Sequence, residues 1–339
     1  MSLQLEQNVS LKAFNSFGLD VSARWFAQAQ DDAQVREALA LASERQLALL
    51  VIGGGSNLLL TQDVDALVLR MASRGIRLLA DSDDEVVVEA EAGESWHPFV
   101  LWSLAQGLSG LENLSLIPGT VGAAPMQNIG AYGVELKDVF AGLTALDRQT
   151  GELREFSLEQ AAFGYRDSLF KREAGRWLIL RVRFILRRQA TLHLQYGPLR
   201  QYLQGQGIAA PTASDVSSAV CAIRSEKLPD PAVLGNAGSF FKNPVVSAAL
   251  VQRLRSEHPD LVAYEQPDDQ FKLAAGWLIE RAGWKGFREG DAGVHQQQAL
   301  VLVNYGAATG AQLLSLARRI QADIAERFAV ELEIEPNVL

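Results

Sequence analysis

Two stretches of this chain are rich in glycine and poor in charge, and three isolated polar residues carry the chemistry the glycines lack. Gly53-Gly54-Gly55-Ser56-Asn57 follows a short apolar run. Backbone without Cβ atoms can turn several N–H groups into one concavity, a nest that binds phosphate without a cationic side chain. A second stretch, Ser115 to Val134, has four glycines (Gly119, Gly122, Gly130, Gly133), two prolines (Pro118, Pro125) and no charged residue. A flat ring or a pyrophosphate approaches backbone closely only where side chains are missing. Either loop alone reads equally as a tight turn. Together they point to a bound dinucleotide-type ligand. The order Gly-Gly-Gly-Ser-Asn-Leu at 53–58 lacks the third glycine of G-x-G-x-x-G, and no G-x-x-x-x-G-K-[ST] occurs, so neither a Rossmann fingerprint nor a P-loop is present.

Ser239 sits in Ala-Gly-Ser-Phe-Phe, with Gly235 and Gly238 nearby to let the backbone turn sharply. Its hydroxyl can project into a cleft or cap a turn. No G-x-S-x-G elbow surrounds it, which argues against a serine hydrolase. Arg166 offers a fixed charge and a planar fork suited to a carboxylate, or a surface ion pair with Asp167. Glu335 alternates with Glu331 and Glu333, which predicts one strand face of three carboxylates. That face is a solvated acidic edge or part of a site.

These residues need elements to position them. Asp31-Asp32 opens a helix over 31–47, and Leu49–Ile52 reads as a buried strand running into the first glycine loop. Leu58–Leu60 and Ala66–Arg70 continue the apolar pattern, Val86–Ala90 is a strand, and Trp96–Gln106 is a helix ended by Gly107. The 115–134 loop should be buried, with partners for its backbone. Strands follow at Leu143–Asp147 and Trp177–Leu186, with a helix near 157–163. Thr212-Ala-Ser-Asp215 caps a helix that Pro229 stops, and Leu228-Pro-Asp-Pro231 marks a domain border. Beyond it the pattern predicts helices near 247–257 and 272–283, a strand Ala299–Val303, a long helix 309–328 and a final strand Val330–Ile334.

With these motifs in place, the chain resembles the UDP-N-acetylenolpyruvoylglucosamine reductase family. The likeness is carried by Val51-Ile-Gly-Gly-Gly-Ser-Asn57, Ile117-Pro-Gly-Thr-Val-Gly122 and Gln127-Asn-Ile-Gly-Ala-Tyr-Gly133. It continues through Tyr165-Arg-Asp-Ser168, Lys227-Leu-Pro-Asp230, Gly235-Asn-Ala-Gly-Ser-Phe-Phe-Lys-Asn-Pro244 and Lys272-Leu-Ala-Ala-Gly-Trp277, in order over nearly the whole chain. The resemblance implies an α+β protein: a two-subdomain FAD-binding fold of the vanillyl-alcohol-oxidase/PCMH type and a C-terminal α+β substrate-binding domain. The flavin region would cover 1–226, as subdomains of about 1–70 and 71–226 with 330–339 packing back, and the substrate domain 227–329.

The implied reaction is NADPH-dependent reduction, through FAD, of UDP-N-acetylglucosamine enolpyruvate to UDP-N-acetylmuramate in peptidoglycan precursor synthesis. The alternative is an oxygen-using oxidase of the same fold. By resemblance Ser239 is the proton donor, Arg166 holds the carboxylate, and Glu335 assists. The flavin would lie on Gly53, Gly54, Gly55, Ser56, Asn57 and Leu58; on Pro118, Gly119, Thr120, Gly122 and Ala123; and on Gln127, Asn128, Gly130, Ala131, Tyr132, Gly133 and Arg166. Tyr165, Tyr196, Lys227, Asn243 and Gln298 would bind the substrate, Tyr196 and Lys227 at its diphosphate, with Gln296 and Gln297 as neighbours of the last. The 53–57 loop holds no histidine, so the FAD is expected to be non-covalent. Ser16, in Phe14-Asn-Ser-Phe17, replaces a threonine common in the family and keeps a hydroxyl.

Composition agrees with that class. The chain has 339 residues, 48% hydrophobic and 21% charged, a net charge of −9 and a pI near 5.1, which excludes a disordered chain and shows no basic patch for nucleic acid. The single cysteine, Cys221, forms no internal disulfide, and His97, His193, His258 and His295 lack metal-ligand spacing. Met1-Ser-Leu-Gln4 lacks the layout of a signal peptide, and no apolar run has membrane length. A cytoplasmic monomer without a metal is expected.

Overall fold

The computed structural model describes residues 2–189 and 191–339. Two compact units emerge, each assembled from separate segments. The first comprises Met1–Val9, Ala23–Gly54 and Asp65–Glu226; the second comprises Ser10–Ser22, Gly55–Val64 and Lys227–Leu339. The α+β class expected from the sequence is the one found.

In the first unit a four-stranded sheet runs in the order Leu5–Ser10, Ser22–Ala29, Val64–Met71, Leu49–Ile52. The last two are parallel, Leu49 opposite Leu67. The helix Asp32–Glu44 covers this sheet. Asp31 caps it by accepting from the Gln34 N–H at 2.8 Å, and its small buried face (Val35, Ala38, Ala42) packs with Leu67 and Leu69. A second sheet is antiparallel throughout, in the order Leu153–Phe156, Phe140–Asp147, Trp177–Arg187, Glu85–Glu91, Ile76–Asp81. The helix Trp96–Ala105 lies against it through aromatic edges: Trp96 and Phe99 meet Phe184 at ring separations of 6.0 and 5.0 Å. The capped helix predicted after Thr212 is present over Ala213–Lys227, with Asp215 accepting from the Thr212 backbone at 2.8 Å.

The second unit is built around the helix Gly310–Phe328. Leu313, Leu316, Ala317, Ile320, Ile324 and Phe328 recur at helical spacing on its buried face, and a Thr309/Gln312 capping box closes its start. It packs on an antiparallel sheet ordered Gly235–Asn236, Leu302–Asn304, Ala292–Val294, Arg288–Glu289. A smaller sheet orders Val245–Ser247, Gln270–Leu273, Ala263–Gln266. Ser10–Ser22 and Gly55–Val64 belong here because they are hydrogen-bonded here. Asn236 N–H donates to Ser16 O at 3.0 Å, and Leu58–Leu59 pairs in parallel with Asn337–Val338. The 330–339 tail thus meets residues 57–61, and it does so inside this unit.

Three sequence expectations shift. Val330–Ile334 is not a strand; only Ile334 bridges, to Phe241, although the alternation of buried Val330 and Leu332 with exposed Glu331 and Glu333 survives. The helix expected over 272–283 is Ala275–Arg281, because Gln270–Leu273 is claimed by a strand. The strand expected at Ala299–Val303 is Leu302–Asn304.

The Asn15 side chain ties together the 11–19 turn. Its amide N–H groups donate to Leu11 O (2.8 Å) and Leu19 O (3.0 Å), and its Oδ1 accepts from Leu19 N–H (2.9 Å). Asn15→Ala strands those buried backbone groups, and urea denaturation is expected to show a loss of about 2–4 kcal/mol.

Candidate active site

The two glycine loops touch. A Cβ on Gly53 would collide with Thr120 Oγ1, and one on Gly54 would stand 3.0 Å from Gly119 Cα. The second loop is fixed from behind: Trp96 N–H donates to Gly119 O (3.0 Å), Val121 N–H to Glu94 O (2.8 Å) and Gly122 N–H to Ala92 O (2.9 Å). Gly122 packs so tightly that a Cβ would lie 2.5 Å from that of Ala92. Val121–Gln127, with Ala123 partly exposed, is a short tight helix containing Pro125, and the loop's backbone is largely satisfied, as its lack of charge requires. Thr120 is the exception. Its hydroxyl is buried with no hydrogen-bond partner. Pro118 beside it is exposed.

Further along, Asn128 is a strut. Its amide N–H groups donate to Glu135 Oε2 and Gly164 O, both at 3.1 Å, and Oδ1 accepts from Lys137 N–H at 3.0 Å. Its side chain is engaged within the turn, and its backbone belongs to the loop expected to hold the flavin. Gln127 precedes it. Gly130–Ala131 turns back on Val134–Glu135 through Tyr132 (φ 51°) and Gly133 (φ 83°). Ser168 Oγ donates to Met126 O at 2.7 Å, which ties the Tyr165–Ser168 turn to this loop. Arg166, at φ 53°, directs Nη2 to Gly130 O at 3.1 Å, and its guanidinium lies 5.8 Å from the exposed Tyr165 ring. Asp167 pairs with Arg172.

Tyr196, exposed at the start of the helix Gly197–Gly205, meets Tyr132 edge-on at 5.2 Å. Asn113 joins the same pieces: its amide donates to Tyr132 O (3.0 Å) and His193 O (2.9 Å). His97, read from sequence as structural or exposed, accepts from Leu116 N–H at 3.0 Å through Nδ1. Burial, and then Arg224, push its imidazole below the ordinary 6.5. Cys221 was expected in the core; it is half-buried, its sulfur 3.9 Å from His97 Nε2.

In the second unit Gly55 (φ 62°) lies against Phe14 O and Gly235 against Phe17 O, where a Cβ would clash with backbone. Ser16 N–H donates to Gly55 O at 3.1 Å, while the Ser16 hydroxyl is buried without a partner. Ser56 and Asn57 follow. Asn57 O accepts from Asn337 N–H at 3.0 Å, and Leu58 pairs with Asn337. Ser239 stands between Gly238 (φ 70°) and buried Phe240. Phe240 N–H donates to Leu300 O (2.8 Å), and Phe240 O accepts from Glu335 N–H (2.9 Å), so the backbone brings Glu335 alongside Ser239. Among the described residues nothing hydrogen-bonds to the Ser239 hydroxyl. Lys242 pairs with Glu333, and Asn243 Oδ1 accepts from Ala275 N–H at 2.9 Å, leaving its amide N–H groups. Gln298 is half-buried near Gly276, Gln296 and Gln297 are exposed, and Lys227 ends its helix exposed.

Comparison with known proteins fits this geometry. Residues 23–157 match the model of an FAD binding domain. Residues 230–339 match the C-terminal domain of UDP-N-acetylenolpyruvoylglucosamine reductase. A protein of that name from Pseudomonas fluorescens is 76% identical over 337 residues, covering 99% of both chains. Another, from Chromobacterium violaceum, is 56% identical and covers 100% of both. The chain belongs to the UDP-N-acetylenolpyruvoylglucosamine reductase family. It is an FAD-dependent oxidoreductase. The fold is that of the UDP-N-acetylenolpyruvylglucosamine reductase from Thermus caldophilus (TM-score 0.69, 24% identity, 99% of each chain). A solvent-stable cholesterol oxidase shares it more loosely (TM-score 0.51, 13% identity, 98% and 87% of the two chains).

The residues of this family member suit a flavin dinucleotide. Gly53, Gly54 and Gly119 leave backbone bare, and Thr120 presents a buried hydroxyl that only a ligand would satisfy. Among the described residues no group of three or more His, Cys, Asp and Glu could hold a metal ion. Among the described residues no helix is long and apolar enough to cross a membrane. Sequence reading missed His97, Asn113 and Arg224, because single polar residues on apolar helices and loops carry no spacing signal. Thr120→Val should leave the flavin-free fold as stable or more so, since the hydroxyl is unpaired there, while FAD titration shows affinity weakened about tenfold. Half-buried His97 takes up its proton less readily than the unfolded chain does near 6.5, so the stability it lends is present above that value and lost as pH falls below it. The melting temperature should drop more between about pH 7.5 and 5.5 than in His97→Asn, where an amide oxygen accepts the Leu116 bond at any pH.

Proposed function

We propose that this chain reduces UDP-N-acetylglucosamine enolpyruvate to UDP-N-acetylmuramate with NADPH as donor, as a cytoplasmic monomer serving peptidoglycan precursor synthesis. Residues up to 226 hold the flavin and 227–329 the UDP-sugar. Bound FAD supplies a carrier that takes hydride from NADPH and gives it to the β-carbon of the enolpyruvyl group. The protein's own work lies in what hydride addition demands: negative charge builds on the α-carbon and its carboxylate, and a proton must arrive there.

Ser239 donates that proton from a turn that holds its hydroxyl away from other partners. Arg166 takes the carboxylate on its fork as electron density shifts toward an enolate, and Glu335 assists from the strip beside Ser239. A serine is a weak acid, so the strong basicity of the carbanion draws the proton across. Tyr196 and Lys227 clamp the diphosphate, Asn243 the nucleotide, and Tyr165 and Gln298 flank the reacting end. FAD sits non-covalently along Gly53–Leu58, Pro118–Ala123 and Gln127–Gly133. The observation that supports this reading best is the unengaged Ser239 hydroxyl, carried on the backbone turn that Glu335 N–H bonds.

The purified protein should show an oxidised-flavin spectrum that bleaches with NADPH and recovers on adding the enolpyruvyl sugar. Recovery in air alone, with no response to the sugar, would identify an oxidase. In Ser239→Ala, bleaching by NADPH should keep its rate while recovery by the sugar slows about 10²–10⁴-fold. Unchanged product formation removes Ser239 from the acid role.

A further inference from the structure

Ser217, Cys221 and Arg224 lie at i, i+4 and i+7 on the helix Ala213–Lys227, so their side chains form one stripe. The stripe faces the uncharged loop and its support. Ser217 Oγ shares a 2.7 Å hydrogen bond with Ser115 Oγ, and Cys221 lies beside His97. At the end of the stripe Arg224 has a buried Nε with no hydrogen-bond partner. The titratable groups that face it are Tyr132, Cys221, Arg166 and His97, whose imidazole it helps push down. Burial holds the first two in their neutral protonated forms, and the third repeats its positive sign. Among the described residues Arg224 has no carboxylate partner. A half-buried guanidinium with its Nε buried and no counter-charge, next to a second guanidinium, costs the fold. Its cost is relieved when negative charge arrives.

We propose that Arg224 is the positive charge that stabilises the flavin ring after hydride uptake. The inference rests on the flavin reading above. Hydride from NADPH brings two electrons and one proton to a neutral ring and leaves NADP⁺ behind, so the reduced ring holds one net negative charge until a further proton joins it. Charge near the ring nitrogens is a lever by which a protein sets flavin electronics. Arg224 reaches the loop at Tyr132, between Gly130 and Gly133, where backbone is bare. Arg166, bonded to Gly130 O from the Tyr165–Ser168 turn, is the residue proposed above for the substrate carboxylate.

The test uses the FAD-loaded protein, with sulfite as an anionic probe of the ring and the flavin midpoint potential as the second readout. Arg224→Met should keep FAD bound, weaken the sulfite adduct tenfold or more, and lower the potential by the equivalent of a tenfold change in the two-electron equilibrium, about 30 mV. Arg224→Gln serves as a second neutral variant should methionine pack poorly, and Arg224→Lys should recover part of the shift. Potential and sulfite affinity unchanged in both neutral variants overturn the inference. The same result with a raised KM for the enolpyruvyl sugar also overturns it and assigns Arg224 to the substrate. Wild-type protein that takes up no FAD sinks the flavin reading and this inference together, whereas wild-type flavin with unshifted variants sinks this inference alone.

Discussion

The close approach of Gly53 and Gly54 to Gly119 and Thr120 is the constraint around which the first unit is arranged. Two uncharged backbones meet there, with the Thr120 side chain against Gly53. Such a contact has little intrinsic stability, because glycine loses more conformational entropy on ordering than any other residue. It persists because each loop is the end of something rigid. The first loop leaves a strand paired in parallel register with Val64–Met71. The second is bonded at Gly119, Val121 and Gly122 to the segment that starts the Trp96–Ala105 helix, whose aromatic face is sunk against Phe184. Sheet and helix convert burial of apolar area into placement of bare N–H groups.

Buried irregular backbone also has to be satisfied, and this chain does it with asparagine. Asn128 ties the 126–137 turn to Gly164, Asn113 joins Tyr132 to His193, and in the other unit Asn15, Asn236 and Asn304 do the same for the 11–19 and 229–238 turns. A neutral amide with two donors and an acceptor bridges strands of loop without bringing charge into a site meant for an anionic ligand. Against that background an orphaned buried group is informative. Thr120 and Ser16 hydroxyls and the Arg224 Nε belong to the few buried side-chain atoms left without a partner among the described residues.

Much of this was legible in the sequence where local signals agreed. Asp31 before an alternating apolar run, Thr212 with Asp215, and the 310–328 periodicity each named an element, and the charge-free stretch named a buried loop. What the sequence left unread had a common cause. Leu5–Ser10 and Arg288–Glu289 are short and polar, and become strands only because partners from elsewhere in the chain supply hydrogen bonds. Glu331–Glu335 alternates like a strand but lacks a ladder beyond Ile334, so pattern was right about facing and wrong about pairing. Asn128 was placed among the flavin-binding residues because it lies in a ligand motif. Its side chain is consumed by the turn, which no spacing rule reveals.

The alternation in that terminal strip decides between its carboxylates. Val330 and Leu332 are buried and Glu331 and Glu333 exposed, so a regular pattern would send Glu335 outward as a third surface acid. It is half-buried instead. Glu333 is neutralised by Lys242, Glu331 faces solvent, and Glu335 has its N–H fixed to Phe240 O, one residue from Ser239. A carboxylate beside a hydroxyl acid raises the cost of leaving an alkoxide behind, which would oppose proton donation in water. In the proposed reaction the base that receives the proton is a carbanion, far stronger than the alkoxide left behind. The transfer is downhill despite that neighbour, and the carboxylate is then placed to orient the hydroxyl as an acceptor of its proton or as a partner of the enol. The three glutamates thereby separate into a solvated one, one paired with Lys242 and a half-buried one whose backbone is bonded beside Ser239, and backbone register makes the distinction.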